Sequence, residues 1–101
     1  MILVDTSIWI EFFRKSSKVT IPVEMIPSIA VCSPVIQEVL QGIKDEGIAA
    51  KIKSSLLSFK LAGADINVDH YIEASNIYRS ARRRGITIRS SIDCLIAAIA
   101  L

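Results

Sequence analysis

The sequence predicts an α/β fold with a mostly parallel central sheet flanked by helices. Short apolar runs alternate with stretches of helical periodicity. The first run, residues 2–4, is wholly apolar and stops at a carboxylate, Asp5. Helix-start signals follow directly on strand-like segments. Such alternation lays helices on both faces of a parallel sheet, in three layers, and ligands gather where the strands end. With 101 residues, 51% of them hydrophobic and 22% charged, the chain suits one folded domain over residues 1–101 with a single core, and it excludes a disordered segment.

Residues 2–4 read as a strand buried on both faces, with Asp5 at its carboxyl end. Thr6 or Ser7 is placed to cap a helix carrying Ile8, Trp9, Phe12 and Phe13 at helical spacing, and Arg14 and Lys15 suit its C-terminal end. That spacing assigns the three aromatic residues to packing in a core or a dimer rather than to base stacking. After a loop with Pro22 and Pro27, residues 29–32 form a second apolar strand. Ser33 and Pro34 start a helix, because Ser accepts from free amides and Pro lacks an N–H where none is needed. Glu38 falls early in that helix, and Gly42 or Gly47 ends it.

Residues 49–59 continue as an amphipathic helix with Ile52, Leu56 and Phe59 on one side, broken by Gly63. Ile66, Asn67 and Val68 read as a strand. Asp69 then caps a helix through Tyr71 and Tyr78 that closes on Arg82, Arg83, Arg84 and Gly85. Residues 86–88 are a further extended piece. Ser90 to Asp93 is a capping-box pattern before the last apolar helix.

The formal charge of +2 is too small to imply nucleic-acid binding by itself, so any such role depends on where the basic residues sit. Cys32 and Cys94 stand among apolar neighbours without metal-site spacing and read as reduced core thiols. The N-terminus lacks the basic region of a secretory signal, and the apolar run from Cys94 to Leu101 falls far short of the roughly 20 residues that span a bilayer. A cytoplasmic location is the expectation.

Three carboxylates occupy unusual places: Asp5 ends an apolar strand, while Glu38 and Asp93 sit near helix starts among apolar neighbours. If they converge, their repulsion is relieved by a shared proton or by a cation, and Mg²⁺ is the common all-oxygen solution. Each also has a simpler role open to it. Asp5 can join a helix cap, Glu38 can be an exposed helix residue, and Asp93 can be the capping-box acid answering Ser90.

Taken together, the segments MILVDTSIWI at residues 1–10, SPVIQEVLQG at 33–42 and SIDCLIAAIA at 91–100 resemble, in order, spacing and flanks, the acidic motifs of PIN domains in VapC-type toxins. The resemblance implies a PIN-like fold. It implies that Asp5, Glu38 and Asp93 are catalytic metal-binding acids, supported by Thr6 and Ser7, and that the cofactor is Mg²⁺ or Mn²⁺. The implied activity is a metal-dependent endoribonuclease, the toxin of a toxin–antitoxin pair, with an RNA substrate, a cognate antitoxin and a homodimer as partners. It also implies that the chain stops before the family's last strand and fourth acid, as a C-terminally truncated member, and Ser91 stands where many relatives carry a further acid.

Two other readings compete. One is a catalytically weak or inactive PIN remnant that acts as a dimerisation or antitoxin-binding module. The other is a phosphoacceptor α/β domain, which the sequence disfavours because Thr6 and Ser7 follow Asp5 where such folds place a second acid. Nucleophilic catalysis through histidine has no support, since the single His70 lies at a helix start as a surface or capping residue. Arg82, Arg83 and Arg89, with Arg79 and Arg84 beside them, are candidate RNA-backbone contacts, and Arg14, Lys15 and Lys18 form a second cluster. Cations at helix C-termini also complement the helix dipole without any ligand.

Overall fold

The computed structural model describes residues 2–14, 16–88 and 91–101 and, at Ser91, the backbone alone. The chain forms two compact units, Met1–Ala62 and Gly63–Leu101. The first holds a parallel sheet and the second a pair of helices, so the α/β class is as the sequence predicts.

In the first unit, β1 (Ile2–Leu3) leads into α1 (Thr6–Phe12). A 3₁₀ segment (Val23–Ser28) then precedes β2 (Ile29–Cys32), α2 (Ser33–Gln41), α3 (Glu46–Leu56) and β3 (Lys60–Ala62). The sheet order is β1-β2-β3, with both pairings parallel. Ile2 lies beside Ile29 and Leu3 beside Ala30, while Ala30, Val31 and Cys32 lie beside Lys60, Leu61 and Ala62. Parallel neighbours need a crossover, which the helices supply in both cases.

All four residues of β2 are buried, as the central strand requires. Val35 and Val39 of α2, Leu56 of α3 and the fully buried Trp9 of α1 are buried as well. Trp9 meets Phe59 edge-on at 4.9 Å between ring centroids and stacks on Phe13 at 5.9 Å. Each such large buried side chain contributes roughly 1.5–3 kcal/mol. The aromatic triplet of α1 therefore serves the core, in line with its spacing.

Several local expectations are corrected. β1 is not buried on both faces: among the described residues it is an edge strand, Ile2 is exposed, and only β2 has neighbouring strands on both sides. Asp5, not Thr6 or Ser7, is the N-cap of α1. Ser33 is the first residue of α2 rather than its cap, with Cys32 in the capping position, and Gly42 ends the helix. The third strand is Lys60–Ala62, whereas residues 66–68 form none. Asn67 instead caps the following helix, whose first residue is the exposed Val68. Residues 86–88 are not a strand.

In the second unit, α4 (Val68–Arg83) and α5 (Ser91–Ala100) close over Ala74, Cys94 and Ala98, with Ile77, Ile88 and Leu95 packed against them. Asn67 accepts from the Asp69 backbone N–H at 2.9 Å, and His70 Nδ1 accepts from the Asn67 backbone N–H at 3.2 Å, a reciprocal cap. His70 thus has the capping role expected of it. At the other end, the Gly85 N–H donates to Arg82 and the Ile86 N–H to Ala81, with Gly85 at φ 76. This is the paired termination that a left-handed glycine permits. The Ser90 capping box and Arg89 lie outside the described residues.

Candidate active site

Because β1 and β2 are parallel, their carboxyl ends open on the same edge of the sheet, and α1 and α2 both begin there. Asp5 ends β1 and caps α1: its Oδ1 accepts from the Thr6 backbone N–H at 2.9 Å, and its Oδ2 accepts from Ser7 Oγ at 3.1 Å. From the first position of α1, Thr6 Oγ1 donates to Glu38 Oε1 at 2.9 Å, across 32 positions of sequence. One threonine therefore bridges the two carboxylates, its amide to Asp5 and its hydroxyl to Glu38.

The simple capping role of Asp5 is real, and it does not use the side chain up. An ionised carboxylate offers about four lone-pair sites, and the two bonds here take one on each oxygen. Glu38 Oε2 accepts no hydrogen bond among the described residues. Asp5 is exposed; Glu38 is half-buried and lines a cleft of about 170 Å³ together with Phe13, Arg14 and Ile43. Arg14 is itself paired with Glu11 at 3.1 Å, an exposed contact of little energetic weight.

Asp93 stands exposed in the first turn of α5, in the second unit. The structure thus brings Asp5, Thr6, Ser7 and Glu38 together within one unit, and Asp93 belongs to the other. Among the described residues, no group of three or more His, Cys, Asp or Glu side chains is arranged to hold a metal ion. The pair that is assembled fits a hard divalent cation by its chemistry. Its donors are all carboxylate oxygens with free lone pairs, and hydroxyl and amide donors fix their orientation. What the sequence does not reveal is the double duty of Thr6. A helix-start threonine reads as a cap, and its long-range partner becomes visible only once α1 and α2 are side by side.

The comparisons with known proteins agree with the fold. A family model described as the PIN domain matches residues 2–101. Ribonuclease VapC11 of Mycobacterium tuberculosis strain H37Rv is 37% identical over 107 aligned residues, which take in 100% of this chain and 79% of the relative. The VapC ribonuclease Mb1587 of Mycobacterium bovis matches to the same extent, 37% over 107 residues, with the same 100% and 79% coverage. The chain belongs to the PIN-domain family, in its VapC branch.

Proposed function

We propose that the chain is a metal-dependent endoribonuclease, the toxin of a toxin–antitoxin pair, with Asp5, Glu38 and Asp93 as its metal-binding catalytic acids. The observation that carries this reading is the bridge through Thr6, which holds two carboxylates from distant segments at the strand ends. A helix cap alone requires Asp5 but has no use for Glu38. The names of the relatives, both ribonucleases, support the same chemistry.

In this reading Asp5 and Glu38 hold Mg²⁺ or Mn²⁺, and Asp93 completes the set. The ion supplies a lowered pKa for water and a positive field for the charge that develops on the phosphate. The chain's own part is positional. Ser7 and the Thr6 amide fix the Asp5 carboxylate, and the Thr6 hydroxyl sets the rotamer of Glu38, so each acid meets the ion without reorganising. No nucleophilic side chain takes part. Residues 1–101 act as one PIN-like domain, in the cytoplasm, with RNA as substrate, a cognate antitoxin as inhibitor and a homodimer as the working form. Among the described residues no helix is long and apolar enough to cross a membrane.

The test is cleavage of a structured RNA in Mg²⁺ or Mn²⁺ by the wild-type chain, Asp5→Asn and Thr6→Val. Wild-type cleavage should fall by at least about a hundredfold in Asp5→Asn, and by about tenfold to a hundredfold in Thr6→Val, which loses only an orienting bond. Cleavage unchanged in Asp5→Asn would refute the site. No cleavage by any of the three would favour the second reading, an inactive PIN remnant that binds partners.

A further inference from the structure

We infer that the side of α4 that carries Tyr71 and Tyr78, at the edge of its cleft with α5, is a single-stranded RNA-binding platform, in which the two tyrosines stack bases while Arg79, Arg82 and Arg83 take the phosphates. The inference rests on the ribonuclease reading for the identity of the polyanion, and on the second unit alone for its geometry.

Tyr71, Ser75, Tyr78 and Arg82 recur at helical spacing along α4 and so share one stripe, with Arg79 beside it and Arg83 further round the helix. The adjoining stripe, with Ala74 and Ile77, packs toward α5. The tyrosine side opens into a cleft of about 680 Å³ between the two helices, floored by Ala74, Cys94 and Leu95 and edged by Tyr71, Tyr78 and Arg79. That volume is of the size that takes a small organic group. Tyr71 is 56% exposed and Tyr78 39%, so both rings offer open faces that the fold leaves unused. They are the two tyrosines of the chain.

Charge decides what occupies the cleft. Arg79, Arg82 and Arg83 are all exposed, and none forms an ion pair with an acidic side chain among the described residues. Complementing the helix dipole explains charge in the last turn but not Arg79, a full turn earlier, nor aromatic faces beside it. An apolar peptide would leave the guanidinium groups without partners. Single-stranded RNA satisfies both, because bases stack on aromatic rings and the backbone follows the cations.

The test is binding of a short, labelled single-stranded RNA of mixed sequence to the full chain in EDTA, where cleavage is suppressed, followed by fluorescence anisotropy over a range of salt. Tyr78→Ala should weaken binding about fivefold or more and Tyr78→Phe should restore it, since the ring and not the hydroxyl does the stacking. Replacing Arg79, Arg82 and Arg83 together by Ala should flatten the salt dependence by about two units of log K against log salt. Photocrosslinking with iodouridine-substituted RNA should label the tryptic peptide from Leu61 to Arg79, which holds both tyrosines.

Unchanged affinity and salt slope in the tyrosine and arginine variants, with circular dichroism confirming their fold, would overturn the platform. So would Tyr78→Ala altering the sedimenting mass while RNA binding stays the same, because the cleft would then be a protein contact. Neither result touches the nuclease reading, which stands or falls on cleavage by Asp5→Asn.

Discussion

Under the proposed function individual side chains carry more than one role, and Asp5 is the clearest case. A helix cap and a metal ligand both want an ionised carboxylate of fixed orientation, so capping α1 prepares Asp5 for a cation at no further conformational cost. Trp9 shows the opposite economy. Its indole Nε1 is buried without a hydrogen-bond partner among the described residues, a cost that its contacts with Phe12, Phe13 and Phe59 must outweigh. Cys32, in the centre of the sheet, is held as a neutral thiol: burial raises its pKa, and a hydrogen bond from the Ser33 backbone opposes this only in part. The sign of the consequence follows from linkage. The raised folded pKa stabilises the fold fully below the unfolded thiol value of about 8.5, and this contribution is lost as pH rises toward the folded value. Wild-type stability should therefore decline above about pH 8.5 more steeply than that of Cys32→Ala in urea melts. In a Cys94→Ala background, iodoacetamide should alkylate Cys32 at least about tenfold more slowly in the native than in the unfolded chain. Equal pH slopes for the two proteins would show that Cys32 does not titrate on unfolding.

At the scale of elements, the ends of α4 set its length. Asn67 and His70 close the N-terminus, and Gly85 closes the C-terminus at φ 76. A Cβ added at Gly85 would meet no atom within 4 Å, so the penalty for a side chain there is backbone strain alone. Gly85→Ala should lower stability by about 1–2 kcal/mol, and Gly85→Asn by less, because Asn tolerates the left-handed region. Chemical denaturation with an unchanged m-value checks this, and a neutral Gly85→Ala would mean that the helix end rearranges freely. Elements closed by local chemistry were the legible ones: β2, α2 up to Gly42 and the body of α4 follow from apolar runs, caps and breakers that act within a few residues. The third strand was not legible. Lys60–Ala62 is a strand because Ala30, Val31 and Cys32 offer it a ladder, a non-local pairing that no local pattern announces. Residues 66–68 alternate like a strand, yet the Asn67 side chain is worth more as a cap. At the site, the three acids were visible as out-of-place charges, whereas the Thr6 link and the tyrosine cleft depend on helices that meet only in the folded chain.

For the molecule as a whole, the distribution of buried bulk sets where it opens. The first unit buries Trp9, Val31, Val35 and Leu56, whereas the core of the second is built on Ala74, Cys94 and Ala98, with little large apolar volume fully enclosed. Local stability follows buried contacts, so amides in β2 should exchange slowest and those of α4 and α5 should exchange faster, through partial opening. This gradient supplies a readout for the third acid that does not depend on catalysis. Asp93 rides on α5, in the less stable unit, and a ligand that binds only the closed form slows exchange in every segment it engages. At a Mg²⁺ concentration about tenfold above its Kd, exchange should slow by about tenfold around β1 and the start of α1 and by a similar factor in α5. Asp93→Asn should abolish the effect in α5. Protection confined to the segments around Asp5 and Glu38 would remove Asp93 from the metal site and leave a two-carboxylate centre.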